Sequence, residues 1–318
     1  MGNICSFVSD NEIIRASLKR DKDSFGEFKN VIIKLINREK KEENGKNLVK
    51  ISGSGEEESA KIQEKINEFF GNQVKIELKY QKIVNSLVQS LDKILGMNQI
   101  IYNFQDIMDP IELGKKKNQS ELLLKKQFVG QGEIKYPYIL VNLRGGVSFY
   151  QVNNATEFNR LQGSIIGESM LEGLINLFDN EDNQHISDII TESIENGDNK
   201  NVDLTVEDIY GENTEQLGLP KDLLASSMGK LAKFGENRKY DKLDIVRSLV
   251  QQFCINLGQL TALTCQLSPD INQAVIAFWK IDSEKINFIL QCFSNYYGKG
   301  EVKLYFVEKS NFLATLNE

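Results

Sequence analysis

Tyr138 to Val152 reads YILVNLRGGVSFYQV, two β-prone apolar runs on either side of Arg144, Gly145 and Gly146. An apolar run, a Gly-Gly pair and a second apolar run spell a hairpin, with glycine supplying the positive φ that a tight turn asks for. The same glycines could instead let backbone amides approach a phosphate, but a lone glycine pair is weak support for that chemistry. The turn is the simpler reading of these residues, and the rest of the chain decides what the hairpin belongs to.

Downstream, the pattern alternates. IIGESMLEGLINLF (165–178) and QHISDIITESI (184–194) carry helical spacing, and KLDIVRSLVQQFCINLGQLTALTCQL (242–267) predicts a long buried helix. Strand AVIAFWKI (274–281), helix SEKINFILQCFSNYY (283–297) and strand EVKLYFVE (301–308) follow. Upstream, IIRA (13–16) reads as a short strand, and Phe25, Phe28, Ile32, Ile33 and Ile36 give a helix over 25–36. The charged run 38–47 reads as a solvated loop.

LVKI (48–51), SGSG (52–55) and EEESAKIQEKINEFF (56–70) spell strand, turn and helix, a geometry that can point amides at an anion. Glu56, Glu57 and Glu58 suit the helix macrodipole but would repel a phosphate placed there, so a capped helix start is the simpler reading. A further helix spans Tyr80 to Ile94, with Ile83, Leu87, Leu91 and Ile94 in register. After Asp109-Pro110 a lysine-rich linker runs to about 133 and divides an N-terminal half, 12–133, from a C-terminal one, 134–318. Strands alternating with helices in two halves predict an α/β fold of mixed sheets covered by helices, with ligands gathered at the cleft between the halves.

Among 318 residues, 45 acidic against 38 basic side chains give a net charge of -7 and no basic stripe interleaved with aromatics, which argues against a nucleic-acid partner. Cys5, Cys254, Cys265 and Cys292 lack CxxC spacing and His185 is the single histidine, a set that suits a reducing compartment and not a structural zinc site. His185 is read as a surface or boundary residue. No window approaches the roughly 18 apolar residues a membrane span needs. Residues 1–11 open on MGNICS, where Gly2 and Ser6 fit an N-myristoylation pattern and Cys5 is placed for palmitoylation. One acyl chain holds a membrane only marginally, so Cys5 would decide between transient and stable attachment.

The segment 196–230 has no periodic explanation for its details: NGDNKNVDLTVEDIYGENTEQLGLPKDLLASSMGK. Its GD, its DIYG at Asp208–Gly211, its GL and its LASSMG at Leu224–Gly229 resemble, in order and nearly in spacing, the eukaryotic-type (type II) pantothenate kinases. YPYILVNLRGGVS is similar to that family's YPLLVVN followed by IGSGVS, FNRLQGSIIGESMLEGL to its KRVTGTSLGGGTFLGL, and KISGSGEE stands where the family has an ATGGGA turn. The likeness covers about 12–318 and is strongest over 137–260. It implies the two-lobed actin/hexokinase-like (ribonuclease H-like) fold, with an incomplete N-terminal lobe here. It also implies transfer of the ATP γ-phosphoryl group to pantothenate, the step that opens coenzyme A synthesis. Members dimerise and are inhibited by acyl-CoA.

The resemblance assigns roles residue by residue. Ser148 and Arg160 match the serine and arginine that contact pantothenate or the pantetheine arm of acyl-CoA, and Gly145 stands for the first serine of that loop. Ser52, Gly53, Ser54 and Gly55 are the remnant of a phosphate loop. Ile83, or Lys82 after a one-residue slip, falls where the family has its catalytic glutamate, and Glu77 is the nearest substitute. The D-x-G-G-T loop is missing, Arg144 replaces a glycine, and a GGG becomes Gly167, Glu168 and Ser169, with Glu168 set to repel a phosphate. The nucleotide motif G-A-x-G-A is reduced to ATLNE at 314–318.

These departures lead to the expectation of a pantothenate kinase-like pseudokinase. It binds acetyl-CoA or another acyl-CoA rather than ATP–Mg²⁺, pairs with itself or with an active pantothenate kinase, and is cytoplasmic, reaching membrane surfaces through acylation. An active kinase with rearranged groups and a ligand-free scaffold are the competing expectations.

Overall fold

The computed structural model describes residues 3–9, 12–18, 48–52, 64, 68, 77–81, 83–95, 97, 99–115, 124–178, 186–211, 218–234, 240–277, 283–308 and 310. The chain divides into two compact units: Met1–Gly96 with Asn154–Glu157 and Lys309–Glu318, and Met97–Asn153 with Phe158–Glu308.

In the first unit, strand β1 (Asn3–Ser9) pairs antiparallel with β2 (Glu12–Leu18), and β3 (Leu48–Ser52) pairs parallel with β4 (Glu77–Gln81). Helix α1 (Ile83–Leu95) follows and buries Leu87, Val88, Leu91 and Ile94. Leu87, Leu91 and Ile94 recur at the spacing that puts them on one face. The helix begins later than Tyr80, because Tyr80 and Gln81 still pair with β3 as part of β4. The helices expected over 25–36 and 56–70 lie outside the described residues, apart from Glu64 and Glu68, which are helical and exposed.

The second unit is a seven-stranded mixed sheet with helices. Its elements are β5 (Ile101–Gln105), α2 (Pro110–Lys115), β6 (Lys125–Phe128), β7 (Tyr138–Leu143), β8 (Val147–Val152), β9 (Phe158–Ser164), α3 (Glu168–Phe178) and α4 (Ile186–Asn196). They continue with β10 (Leu204–Thr205), α5 (Val206–Tyr210), β11 (Leu224–Ser226), α6 (Gly229–Phe234), α7 (Lys242–Leu267), β12 (Gln273–Ala277), α8 (Glu284–Tyr297) and β13 (Lys303–Val307). The sheet order is β6-β5-β13-β12-β7-β8-β9, with β12 parallel to both β7 and β13 and the remaining pairings antiparallel.

The lysine-rich stretch read as a linker contains an edge strand instead. Lys125–Phe128 pairs antiparallel with Ile101–Gln105 in register Tyr102↔Phe128. Lys126 explains why a polar run can serve there. Its ammonium sits 3.8 Å from the centroid of the Tyr102 ring and binds the carboxylates of Glu284 and Glu308, so a charged edge strand is held from α8 and β13.

The core lies on one face of the sheet. Ile139, Val141 and Leu143 of β7, Val147 and Phe149 of β8, and Ala274 and Ile276 of β12 pack with Leu171, Ile175, Ile190, Leu249, Phe253 and Phe288 of the helices. Helix α7 is capped by Asp241, which accepts from the Leu243 amide at 2.7 Å, and buries Val246, Leu249, Val250, Phe253 and Leu257. Residues 139, 141 and 143 alternate with Tyr138, Leu140 and Asn142, whose side chains point to the opposite face and are buried as well. A strand buried on both faces reads as a continuous apolar run, which is why YILV announces its place.

Candidate functional site

The hairpin forms as expected, from Tyr138↔Val152 to Leu143↔Val147, but glycine does not serve it in the way expected. Neither Gly145 nor Gly146 adopts the left-handed conformation. What the loop needs is the missing side chain. A Cβ on Gly146 would stand 2.7 Å from the Ser164 carbonyl oxygen, and one on Gly167 would stand 2.5 Å from both the Gly145 oxygen and the Gly146 Cα. Loop 144–146 is therefore pressed backbone to backbone against the start of α3.

The amides at that helix start are committed to the loop. Glu168 N–H donates to the Arg144 carbonyl at 3.0 Å and Ser169 N–H donates to the Gly145 carbonyl at 3.3 Å. These are donors that an anion at a helix N-terminus would otherwise use. Glu168 itself is buried, and burial lowers the pKa of the neighbouring Arg144 guanidinium while the Glu168 carboxylate works to raise it.

On the face opposite the core, register brings three polar residues together. Asn142 pairs with Ser148, Ser148 with Gly163, and Tyr150 with Arg160, so all lie on one side of the β7–β8–β9 ribbon. A bulge after Phe149 leaves Leu161 unpaired and returns Arg160 to the face of Gly163. The Arg160 guanidinium folds over Gly163, where it leaves no room for a Cβ, and so lies beside Ser148 across the strand pair. Asn142 is 8% exposed and its Oδ1 has no hydrogen-bond partner among the described residues. A buried acceptor without a donor is costly, which makes this face one that a hydrogen-bonding ligand would satisfy. Asn142 went unremarked in the sequence, although its place in an otherwise apolar strand was the available signal.

The motif-rich segment 196–230 has a structural account. Thr205 and Asp208 form a capping box at the start of α5: Thr205 N–H and Oγ–H donate to Asp208 Oδ2 at 2.8 and 3.0 Å, and Asp208 N–H donates to Thr205 Oγ1 at 3.3 Å. Lys230 adds an ion pair to Asp208 at 2.9 Å, and Gly211 ends the helix at φ 68°. The carboxylate of DIYG is thus engaged in holding its own turn, while Ile209 and Tyr210 are about half exposed.

Two carboxyls tie this segment to the core. Fully buried Asp203 accepts from Met228 N–H at 2.7 Å and from the Ser248 hydroxyl on Oδ1, and from Asn199 Nδ2 at 2.8 Å on Oδ2. Asp244 accepts from Asp198 N–H at 2.7 Å and Asn201 Nδ2 at 2.8 Å. Burial raises the Asp203 pKa, and its hydrogen bonds and Lys230 only partly offset this. One turn along α7 from Asp244, Arg247 is buried and desolvation pulls its pKa down to about 10.

The remaining sequence-derived residues are scattered. Ile83 is the first residue of α1, the helix start at which the resemblance places a glutamate. Glu77 lies on β4 opposite Leu48 and not on that helix, so counting helical turns from it does not apply. Ser52 ends β3, whereas Gly53, Ser54 and Gly55 lie outside the described residues, as do Lys82, Gly2, His185 and 314–318. Cys5 is on β1 opposite Ala16. Cys254, Cys265 and Cys292 are buried free thiols with pKa values pushed up to about 12, which leaves them unreactive.

A mixed sheet covered by helices makes this an α/β protein, consistent with a kinase-like α/β fold. The family model described as Fumble, the pantothenate kinase family, matches residues 12–317, and the chain belongs to that family. It is 33% identical over 186 residues to "Pantothenate kinase 1" of Oryza sativa subsp. japonica, a match that takes in 57% of this chain and 27% of the relative. It is 31% identical over 182 residues to "4'-phosphopantetheine phosphatase" of Mus musculus, over 57% of this chain and 22% of that protein. It is 37% identical over 136 residues to "Pantothenate kinase" of Schizosaccharomyces pombe, over 41% of this chain and 32% of that one. The matched part of the chain thus spans between about a fifth and a third of these relatives' lengths. The family relationship links the chain to coenzyme A biosynthesis.

Proposed function

We propose that this chain is a catalytically impaired pantothenate kinase homologue, a pseudokinase that holds an acyl-CoA or its pantetheine arm on the face of Asn142, Ser148 and Arg160. It acts as a regulatory or dimerising subunit, with itself or with an active pantothenate kinase, in the two-lobed actin/hexokinase-like arrangement. The observation that carries this reading is Ile83 at the start of α1, where the resemblance calls for a carboxylate. Loss of a general base alone costs about 10² to 10⁴ in rate. The residues of loop 144–146 also fit ATP–Mg²⁺ poorly, because the amides of Glu168 and Ser169 are taken and a carboxylate stands among them.

Two measurements test the reading. Turnover of pantothenate with ATP–Mg²⁺ is expected to be absent, and robust turnover would establish an active kinase in its place. Acetyl-CoA is expected to bind in calorimetry, with Ser148→Ala and Arg160→Ala each weakening it about 10- to 100-fold, the scale of one lost charge-assisted or buried hydrogen bond. Silence from both ligands would leave a scaffold. The same reading places the protein in the cytoplasm and lets acylation of Gly2 and Cys5 bring it to membranes. Intact-mass measurement of protein from its native source, showing unmodified Gly2, would remove that part.

A further inference from the structure

Asn142 is the one polar side chain in the apolar run 138–143, and its neighbours leave it unsatisfied. In β7 it follows Leu140 on the face turned from the core. Across the sheet it stands opposite Ser148 of β8 on one side and Ala277 of β12 on the other. Leu140 and Ala277 bring no side-chain donor and the Ser148 hydroxyl does not serve as one, so the buried Oδ1 of Asn142 has no hydrogen bond among the described residues. Burial grades along this row. Arg160 and Gly163 on the edge strand are exposed, Ser148 is half-buried and Asn142 is 8% exposed. The acceptor thus lies at the inner end of a face that opens to solvent at the Arg160 end. A carboxamide carries an acceptor and two donors, and its nearest chemical complement is another amide. A charged donor would lose more hydration there than a neutral one.

We propose that Asn142 is the specificity residue of this face: its Oδ1 accepts from an amide N–H of the bound arm, beside the Ser148 hydroxyl. This rests on the proposed function in placing a pantetheine-type ligand there, and it names the atom that selects an amide over an ester of the same shape. An acceptor of this kind weakens the free chain and is satisfied only in the complex. Stability and binding therefore pull position 142 in opposite directions. An apolar side chain of similar size suits the free strand better and the ligand worse.

Calorimetry titrates the full chain, as wild type and as Asn142→Leu, with pantetheine and with its two oxa analogues, each carrying an ester oxygen in place of one amide N–H. Thermal denaturation without ligand follows both proteins. Wild type is expected to bind one analogue about 10-fold or more weakly than pantetheine, because an ester oxygen would face Oδ1. Asn142→Leu is expected to melt at or above the wild-type temperature, to bind pantetheine about 10-fold more weakly, and to lose the preference for pantetheine over that analogue. Pantetheine bound by wild type with no preference over either analogue would overturn the proposal and leave the proposed function standing, and so would an Asn142→Leu variant that keeps both affinity and preference. A variant that melts well below wild type, with Asn142→Val doing the same, would make Asn142 a structural residue and overturn the proposal as well. Wild type that binds no pantetheine sinks the proposed function, and the proposal falls with it.

Discussion

Asp203→Ala is expected to lower the unfolding free energy of the chain by about 3 to 5 kcal/mol, measured by urea denaturation with the midpoint read at constant slope. The magnitude follows from what is left behind. Met228 N–H, the Ser248 hydroxyl and the Asn199 amide all donate to this one fully buried carboxyl, and the substitution strands all three. Each stranded buried donor costs about 1 to 3 kcal/mol, less whatever relaxation or water recovers. The consequence is also local. Asp203 links the 199–203 turn, the Met228 turn and helix α7, so the DIYG and LASSMG segments should become exchange-labile together while the β7–β8 hairpin stays protected. A variant as stable as wild type would show that the segment is held elsewhere.

Asp203→Asn separates the geometry of the knot from its charge. It keeps one acceptor oxygen but turns an amide toward Asn199, so a smaller loss of about 1 to 2 kcal/mol is expected. Its pH dependence has a definite sign. Burial raises the folded pKa of Asp203 above the ordinary 3.8, so the folded state holds this proton more tightly than the unfolded chain. Its contribution is complete below the ordinary value and is lost as pH rises through the raised one. The stability gap between wild type and Asp203→Asn should therefore be widest in acid and narrow as pH climbs through that window. A gap that widens with pH would mean that the hydrogen bonds outweigh desolvation.

The contrast between the hairpin and this knot shows what a sequence makes legible. YILV, VSFYQV and the 242–267 helix could be read from period and length, because burial on one or both faces leaves a mark at every second or third residue. Strand β9, FNRLQGS, left no such mark. It is a largely exposed edge with a bulge at Leu161, and its pairing is dictated by the neighbouring strand rather than by its own apolar pattern. Lys125–Phe128 was hidden for the same reason, with the added disguise of Lys126, whose partners Glu284 and Glu308 are far away in the chain. Within the site, Ser148 and Arg160 were accessible only through resemblance, since a bulge of one residue decides whether they share a face. Asp203 could not be told from a surface aspartate in NGDNKNVDL, because what distinguishes it is the helix about 40 residues later, whose Ser248 hydroxyl donates to it. The glycines were found and their reason was misread: spacing signals glycine, but only three-dimensional contact separates a positive φ from a missing Cβ.

That distinction yields the second large effect, a pair of identical substitutions, one just before helix α3 and one inside it, with opposite signs. Gly167→Ala places a Cβ 2.5 Å from the Gly145 oxygen and the Gly146 Cα and 2.7 Å from the Gly146 carbonyl carbon, all backbone atoms that cannot rotate aside. Overpacking of this kind costs about 1 to 3 kcal/mol, and separating loop from helix also loosens the bonds from Glu168 N–H and Ser169 N–H, so a total near 2 to 4 kcal/mol is expected. Gly173→Ala, within α3, meets nothing within 4 Å and lies in a helix interior, where alanine is favoured over glycine by about 0.5 to 1 kcal/mol. It should stabilise the chain. Thermal denaturation of the two variants beside wild type therefore reads the contact directly: a shift down for the first and up for the second is the signature of a loop packed on its helix. Equal small shifts in both would mean that loop 144–146 stands clear of α3.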